Sequence, residues 1–486
     1  MSAWTFVANN AFLSFYTFLH AWVAKAFFSE AVTAPYMDEV FHVTQTQAFC
    51  KIFQEKEWTY EDLVQSYHPK ITTPPGPYLM AAPYSMFVLG DKACSLASVR
   101  SINVAFNVGT AVVVYLTTMR LYGSASYINN LTRVAVVILS PVHFFFAFLF
   151  YTDAGSTFFV LLSYYFSLGV GPRLSPKQVE NWMFRSFPSM LCSAIAGFLS
   201  LWFRQTNVVW YGFILGTIFI RVFDPTENQL PFTKYGKAFC MSIVDSYKKR
   251  RHDYVAAIST MFCIVIPALS VIASFFWYLK WNQYSIVLGD KSNHVPVFHV
   301  TQILYFLLFA MAPFHLSMLS ERGIDMTVDM MLWSWKTVVG AVVVIILVVA
   351  CCTKVHPFIL ADNRHFTFYL WSKYLRHKIV RYALVVPYLY CGIQFVQRLL
   401  HSKGSLWTTG YFICVCTVLI PAHLVEFRYW VIPAIIGQMH IFEKDDVYPY
   451  LTITVLGYVV CNALLIHLFI FGPFPKDGEI IGRFMF

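Results

Sequence analysis

Charged side chains are scarce in this sequence. Asp, Glu, Lys and Arg make up 12% of the 486 residues, whereas hydrophobic residues make up 58%, and the mean hydropathy is +0.58. Soluble domains typically contain about 45–50% apolar residues. The polar gaps between most apolar runs are also too short for a separate soluble domain. The composition therefore excludes a soluble protein and predicts one integral-membrane domain over residues 1–486.

The sequence also lacks the motifs of several enzyme classes. It contains no P-loop, GxGxxG, HExxH, Ser/His/Asp elbow or DxD pattern in a supporting context. A nucleoside diphosphate or triphosphate donor is therefore not indicated, and a lipid-borne donor fits better. The eleven cysteines include no CxxC pair and no Cys/His spacing of a zinc site. We expect buried free thiols rather than disulfides or a metal centre.

Apolar runs close to the ~20 residues that a helix needs to span a bilayer recur between residues 8 and 473. Thirteen runs can be delimited, and they predict an all-α polytopic membrane protein with about 11–14 transmembrane helices. Lys and Arg gather in the segments 172–186 and 223–253, which the positive-inside rule assigns to the cytosol. Counting spans from there, the loop 29–96, with interfacial helices, and the segment 356–378 share the opposite face.

The formal net charge is +10. An excess of positive charge suits anionic lipid head groups and phosphorylated substrates. The densest basic run, residues 248–251, could bind nucleic acid, but a solvated cytosolic loop explains it better. We therefore expect membrane lipid, and no nucleic acid, among the partners. The sequence carries no indication of the oligomeric state.

The loop 29–96 opens with two adjacent carboxylates, Asp38 and Glu39, and His42 follows one helical turn later. Acidic groups beside a membrane are costly unless they are paired, hydrated or used, so this cluster is a candidate site. If Asp38 begins a short helix, Glu39 projects about 100° away from it, and the two carboxylates need different roles. The alternative is purely local: Asp38 caps the helix and Glu39 favours its first turn.

Further polar groups are predicted on the same face, and each has a structural alternative. Lys, Thr, Asn, Gln and His side chains can donate to sugar hydroxyls or phosphate, and Arg is a planar multidentate donor for phosphate. Loop-to-helix caps, polar interhelical loops and snorkelling arginines explain the same residues without a ligand. The candidates are Lys70, Thr72, Thr73, Asp153, Arg204, Gln205, Asn207, Asp290, Lys291, Asn293, His294, Asp362, Asn363, Arg364, His365 and Arg428.

Six segments of the sequence closely resemble the dolichyl-phosphate-glucose-dependent alpha-1,2-glucosyltransferases of the endoplasmic reticulum. The resemblance implies the GT-C membrane glycosyltransferase fold and a lumenal active site. One departure stands out, because the family usually has Trp-Asp-Pro where this chain has Tyr67-His68-Pro69. We therefore assign His68 no catalytic role. The matching segments are residues 36–42, 70–76, 203–207, 289–294, 356–369 and 483–486.

The resemblance implies inverting transfer of glucose from dolichyl phosphate β-glucose to a diglucosylated, dolichyl-diphosphate-linked oligosaccharide, the last step in assembling the glycan for N-glycosylation. We expect Asp38 to be the general base, with Glu39 as second choice or as an orienting group. Arg364 and His365 are our first choice for the donor phosphate, and Arg204, Lys70 and Lys291 follow. The other candidates, including His42 and Arg428, are assigned to substrate binding.

We expect no cofactor and no metal, because two or three fixed cations can stabilise the departing phosphate. Two other functions stay open. Another GT-C dolichyl-phosphate-sugar transferase, such as a mannosyltransferase, shares the architecture but should lack the segment 356–369. A polytopic lipid or solute transporter would have inverted repeats and ionisable groups at mid-membrane, rather than charges at the ends of spans.

Overall fold

The computed structural model describes residues 3–27, 31–123, 127–170, 179–223, 251–291, 295–443, 447–476 and 480–486. Most of them are helical, which confirms the all-α prediction. The α-helices are Ala3–Ala26, Glu39–Ile52, Tyr60–Gln65, Gly76–Pro83, Leu96–Tyr122, Tyr127–Ile138, Pro141–Phe145, Asp153–Ser167, Val179–Phe203, Asn207–Phe223, Arg251–Trp281, Thr301–Met311, His315–Met318, Glu321–Trp333, Trp335–Cys351, Pro357–Ala361, Phe366–Leu370, Lys378–Ala383, Val385–Leu419, Val431–Ile441 and Thr452–Phe471.

Short helical turns of other types connect several of these helices. Three are π-helical, namely Tyr84–Val88, Trp371–Leu375 and Val447–Leu451, and three are 3₁₀ turns, namely Phe146–Phe148, Ala312–Phe314 and Phe427–Trp430. Two short strands, Phe474–Lys476 and Ile480–Gly482, pair antiparallel after the last long helix.

Five helical stretches of the described residues are long and apolar enough to cross a membrane: Leu96–Tyr122, Ser186–Phe203, Thr301–Met318, Lys378–Leu419 and Pro449–Phe471. The number rises to seven if each of two bent helix pairs, with bends of 64° and 99°, is one span. The protein is thus a multi-pass membrane protein. The figure of about 11–14 spans for the whole chain stays a prediction, and most of the basic loop 223–253 lies outside the described residues.

The longest helical stretch contains a break that the sequence predicts. Two separate spans, 380–398 and 406–425, are expected from the apolar pattern, and the structure has a continuous helix Val385–Leu419 with non-helical backbone at Gly404. The φ of Gly404 is 75°, a left-handed conformation that glycine adopts without a steric penalty. The glycine therefore separates the two predicted spans without a connecting loop.

The loop 29–96 folds into three short helices that pack on a small core of their own. Thr59 begins the middle helix with a capping box, in which its hydroxyl accepts from the Asp62 amide and its own amide donates to the Asp62 carboxylate. Val43, Phe49 and Tyr78 are buried in the core beneath the loop. The first loop is therefore a folded platform and not an extended connection.

A disulfide joins Cys50 to Cys94, with Cα atoms 6.5 Å apart, and so ties the end of the helix Glu39–Ile52 to the start of the next long helix. The expectation of free thiols was wrong for this pair. The two cysteines are 44 residues apart, and only the folded loop brings them together. Both sulfur-bearing side chains are fully buried in the small core, so the crosslink stabilises the platform from within.

Candidate functional site

A tight backbone turn at residues 36–38 leads into the helix that carries the two adjacent carboxylates. Met37 has a positive φ of 57°, an uncommon conformation for a residue with a Cβ atom. Asp38 then precedes the helix Glu39–Ile52 with αR geometry, and within the described residues its side chain makes no capping hydrogen bond. The local alternative, in which Asp38 serves as an ordinary side-chain cap, is therefore not supported.

Glu39 is completely buried and points away from Asp38 into the protein. Its carboxylate accepts from Arg100 at both oxygens, with N–O distances of 2.8 and 2.6 Å, and from the amides of Tyr36 and Phe150 at 2.9 and 2.7 Å. Arg100 is also completely buried and donates to the carbonyl of Val32. This ion pair holds together chain segments far apart in sequence, and it leaves Glu39 unable to face a substrate.

Asp38 faces a cluster of charges from three other parts of the chain. The Arg428 guanidinium contacts the Asp38 carboxylate at 3.2 Å and the Asp153 carboxylate at 3.8 Å, and it also pairs with Glu426. Arg204 pairs with Asp153 at 3.1 Å. The Asp38 side chain nevertheless keeps 46% of its surface exposed. A carboxylate that is oriented by an arginine but still accessible is suited to contact a substrate.

The charge cluster keeps Asp38 ionised. Burial in the protein favours the neutral acid and is the largest single effect, but the charge and hydrogen bond of Arg428 together with the nearby histidines outweigh it, and the pKa of Asp38 lies below its ordinary value. Burial lowers the pKa of His42 to about 4, although Asp38 acts in the opposite direction. At neutral pH the site therefore presents a charged carboxylate beside an uncharged imidazole, whose Nδ1 lies 2.6 Å from the Tyr78 hydroxyl.

A cavity of about 500 Å³ opens in front of Asp38. Its volume falls within the range of about 300–1,000 Å³ that small-molecule sites occupy. The wall combines acidic, basic, hydroxyl and apolar side chains. The lining residues are Met37, Asp38, Phe41, His42, Lys70, Ile71, Thr72, Thr73, Phe146, Tyr151, Thr152, Arg204, Ile359, Asp362, His365, Thr367, Leu424, Val425, Glu426, Arg428, Tyr429, Met485 and Phe486.

The cavity brings together many of the predicted site residues, including residues of the loop 29–96 and of the segment 356–378. Asp38 from the first loop and His365 from the segment 356–378 both line this cavity, so the two segments meet in the folded protein. Asp153 joins them through its ion pairs with Arg204 and Arg428. The predicted residues on the cavity are Asp38, His42, Lys70, Thr72, Thr73, Arg204, Asp362, His365 and Arg428.

Arg364, our first choice for a phosphate contact, has a different position. Its guanidinium bonds the Asp362 carboxylate through Nε at 2.8 Å and through a terminal nitrogen at 2.7 Å, and the Arg364 amide donates to the same carboxylate. It also lies 5.9 Å from the centroid of the Tyr36 ring and does not line the cavity. Arg364 therefore braces the turn that carries His365.

Several other candidates support the wall instead of reaching the cavity. Gln205 is buried and donates to the carbonyls of Thr72 and Ile286. Asn207 is buried and donates to Ser156 and Ser200. Asn363 is half-buried on the turn beside Arg364, and neither exposed Lys291 nor half-buried Asp290 lines the cavity. The predicted residues Asn293 and His294 lie outside the described part of the chain.

Several residues of the site have no distinguishing pattern of their own in the sequence. Glu426 and Tyr429 lie beside Arg428, and Tyr151 and Thr152 precede Asp153, so proximity to a recognised charge was the available clue. The Tyr151 hydroxyl accepts from the Asp38 amide at 3.3 Å, and the Thr152 hydroxyl accepts from Arg204 at 3.0 Å. Hydroxyl and aromatic groups thus hold the charged ones in place. Within the described ranges, no group of three or more His, Cys, Asp or Glu is arranged to hold a metal ion.

The fold and the site together define a multi-pass helical membrane protein with an ion-paired, ligand-sized cavity at one end of its helices. Within that class, the chain belongs to the DIE2/ALG10 family, whose model matches residues 32–439.

Relatives from animals and plants cover nearly the whole chain. The protein named Dol-P-Glc:Glc(2)Man(9)GlcNAc(2)-PP-Dol alpha-1,2-glucosyltransferase of Rattus norvegicus is 30% identical over 96% of this chain and 97% of its own length. A protein of Homo sapiens with the same name is 29% identical over the same shares. One of Arabidopsis thaliana is 28% identical over 92% of this chain and 94% of its own.

Two solved structures are more distantly similar. ArnT from Cupriavidus metallidurans, bound to undecaprenyl phosphate, has 12% sequence identity and a TM-score of 0.37, and the match covers 94% of this chain and 80% of ArnT. The apo oligosaccharyltransferase of Archaeoglobus fulgidus has 12% identity and a TM-score of 0.36 over 89% of this chain. The match spans 56% of that oligosaccharyltransferase.

Proposed function

We propose that this protein is an inverting glucosyltransferase of the endoplasmic reticulum membrane with a lumenal active site. It transfers glucose from dolichyl phosphate β-glucose to the 2-hydroxyl of the terminal glucose on a diglucosylated, dolichyl-diphosphate-linked oligosaccharide. The names of relatives that match this chain over nearly its full length support this activity. The observation that carries it is the ionised, accessible Asp38 carboxylate on a cavity whose cations come from three other segments.

The chemical step follows from the positions of these groups. Asp38 accepts the proton of the acceptor hydroxyl, whose oxygen attacks the anomeric carbon of the donor glucose. The bond from that carbon to the phosphate oxygen breaks at the same time, so the β-linked donor yields an α-linked product. The dolichyl phosphate leaves with about two negative charges, and nearby cations stabilise that charge as it develops.

Lys70 and Arg204 are the proposed contacts of the donor phosphate. Both line the cavity, whereas Arg364 does not. Among the described residues Lys70 forms no ion pair, and its ammonium lies 5.6 Å from the centroid of the Phe41 ring. An exposed ammonium that is not neutralised by a carboxylate can pair fully with an incoming phosphate. His365 contributes from the same cavity.

An apolar groove of about 500 Å³ adjoins the cavity and suits the polyisoprenoid chain of the donor. The two spaces share a wall, because Thr72 and Thr73 face the cavity while the following Pro74 and Pro75 face the groove. In the same way, Arg204 lines the cavity and the adjacent Gln205 lines the groove. Trp277 and Trp281 expose 68% and 53% of their surface along the groove, as aromatic side chains do at a membrane interface.

The proposal is tested by incubating the purified protein with synthetic dolichyl phosphate β-glucose and the diglucosylated acceptor. The expected product has one further glucose in α-1,2 linkage. Dolichyl phosphate mannose and a monoglucosylated acceptor are the matched controls, and transfer of mannose would instead support another dolichyl-phosphate-sugar transferase. Movement of either lipid across liposomes without transfer would support a transporter.

Two additions to this assay test the proposed roles of the cations. Because protein side chains supply the positive charge, transfer should continue at full rate in excess chelator; loss of activity that a divalent metal restores would contradict this. Lys70→Ala should raise the donor KM by about tenfold, which corresponds to ~1.4 kcal/mol of binding free energy. Lys291→Ala, at an exposed lysine off the cavity, is the control and should leave the donor KM unchanged.

A further inference from the structure

The last residues of the chain run from the short hairpin back into the candidate site. The amide of Met485 donates to the carbonyl of Arg364 at 2.9 Å, and the amide of Phe366 donates to the carbonyl of Met485 at 2.9 Å. Met485 is 1% exposed, and both it and Phe486 line the cavity. Residues 483–486 thus pair with the backbone on either side of His365.

The other end of the same short segment is bonded to the turn that carries Asp38. The Tyr36 hydroxyl donates to the carbonyl of Arg483 at 2.7 Å and accepts from the Arg483 amide at 2.8 Å. The Arg483 guanidinium donates to the carbonyls of Ala31 at 2.6 Å and of Phe469 at 2.7 Å. Four consecutive residues are therefore fixed at one end near Asp38 and at the other end beside His365.

These contacts also determine which ring nitrogen of His365 carries a proton. Nδ1 lies 2.9 Å from the main-chain oxygen of Phe486, which can act only as an acceptor, so Nδ1 must be the donor. Nε2 lies 4.0 Å from the Asp362 carboxylate, on the other side of the ring. The orientation of the His365 ring therefore depends on residue 486 keeping its position.

We infer that residues 483–486 form a positioning strap, which sets the spacing between Asp38 and His365 and fixes the orientation of the His365 ring. The inference rests on the proposed function, since it describes how the proposed general base, Asp38, and the phosphate-side residue His365 are held at a constant distance from each other. The strap acts through other residues and is not itself catalytic. Displacement of reacting groups by about 1 Å can lower a rate by roughly 100-fold, so a main-chain connection of this kind has a large effect on turnover.

The aromatic contacts of the strap strengthen this assignment. The Phe486 ring lies 5.5 Å from the Phe366 ring and 5.8 Å from the Phe427 ring, centroid to centroid. Phe366 directly follows His365, and Phe427 directly precedes Arg428. One side chain of the strap thus contacts the neighbours of two residues that line the cavity, His365 and Arg428.

Two matched variants of one residue test the strap. Met485→Pro removes the amide that donates to Arg364, whereas Met485→Ala removes the side chain and keeps that amide. We expect Met485→Pro to lower kcat for glucose transfer at least tenfold relative to Met485→Ala, with donor KM changed less than threefold. Equal kcat values in the two variants would overturn the inference.

A double-mutant cycle separates positioning from a general loss of structure. Tyr36→Phe removes both hydrogen bonds at the other end of the strap. Because either change releases the same segment, Tyr36→Phe combined with Met485→Pro should lose no more kcat than the worse single variant. Fully additive losses would contradict a shared strap.

Hydrogen–deuterium exchange supplies a measurement that does not depend on activity. Met485→Pro should speed amide exchange in peptides covering residues 362–370 and leave exchange in the helix Leu96–Tyr122 unchanged, whereas Met485→Ala should change neither. If the wild-type protein transfers no glucose, the proposed function fails, and this exchange experiment still decides on the strap. Unchanged exchange over residues 362–370 in Met485→Pro would overturn it.

Discussion

Asp38 and Glu39 are neighbours in the sequence but occupy opposite environments. Glu39 is 0% exposed, and Arg100 and two main-chain amides bond its oxygens. Asp38 is 46% exposed on a cavity, with one guanidinium contact at 3.2 Å. A rotation of about 100° between successive helical residues is enough to separate them. One carboxylate therefore stabilises the platform, while the next stays accessible on the cavity.

The largest expected effect is on the reaction itself. Asp38→Asn preserves size and polarity but cannot accept a proton from the acceptor hydroxyl, so transfer should fall by about 1,000-fold, within the range of general-base contributions. The thermal unfolding midpoint in detergent should stay within a few degrees of the wild type, because Asp38 is accessible and not part of the buried ion pair. Near-normal turnover of Asp38→Asn would show that Asp38 is not the general base.

Glu39→Gln should have its main effect on stability. The substitution leaves the buried Arg100 charge without an ionised partner, which costs about 3 kcal/mol of unfolding free energy. Denaturation followed by intrinsic fluorescence measures this loss, with Asp38→Asn as the control that should unfold like the wild type. A Glu39→Gln protein that is as stable as the wild type but inactive would transfer the role of base from Asp38 to Glu39.

Arg428→Gln should change the pH dependence of transfer. Arg428 holds the pKa of Asp38 below its ordinary value, so its removal raises that pKa and protonates more Asp38 as the pH falls. Because the ionised carboxylate is the active form, the loss of rate should be greater at about pH 5.5 than at about pH 7.5, and the acid limb should move to higher pH.

In the wild-type protein the pKa of His42 is about 4, so its imidazole is uncharged at both assay pH values. Arg428 is one of the charges that lower the pKa of His42, so Arg428→Gln raises the pKa of both His42 and Asp38. A rate ratio between Arg428→Gln and wild type that is the same at both pH values would show that Arg428 does not act through the ionisation of Asp38. Arg322→Gln, at an exposed arginine paired with Glu443, is the matched control and should leave the pH profile unchanged.

The sequence was sufficient for the features that depend on local pattern. Apolar runs predicted helices, the alternation of loops placed Asp38 and His365 on one face, and the adjacency of Asp38 and Glu39 predicted different roles. Gly404 separates two runs that were predicted as two spans. These features depend on neighbouring residues, helical rotation and the positive-inside rule, all of which can be read along the chain.

The features that the sequence did not reveal depend on contacts between distant residues. Arg100 lies near the start of the long helix Leu96–Tyr122, and nothing in the neighbouring residues indicates that its partner is Glu39, 61 residues earlier in the chain. Cys50 and Cys94 meet only after the first loop folds. The pairing of Arg364 with Asp362 is an exception, since an aspartate two residues before an arginine in a turn is a local arrangement that the spacing could have indicated.

The crosslink between Cys50 and Cys94 has a consequence for biogenesis. Disulfides persist in oxidising compartments and are rare where glutathione keeps thiols reduced. In the proposed lumenal orientation, the disulfide of the platform that carries Asp38 forms only after the first loop has crossed the bilayer, and a chain inserted in the reverse orientation would retain two thiols. Thiol labelling followed by gel electrophoresis can therefore distinguish chains whose Cys50 and Cys94 are oxidised from chains in which both thiols are free.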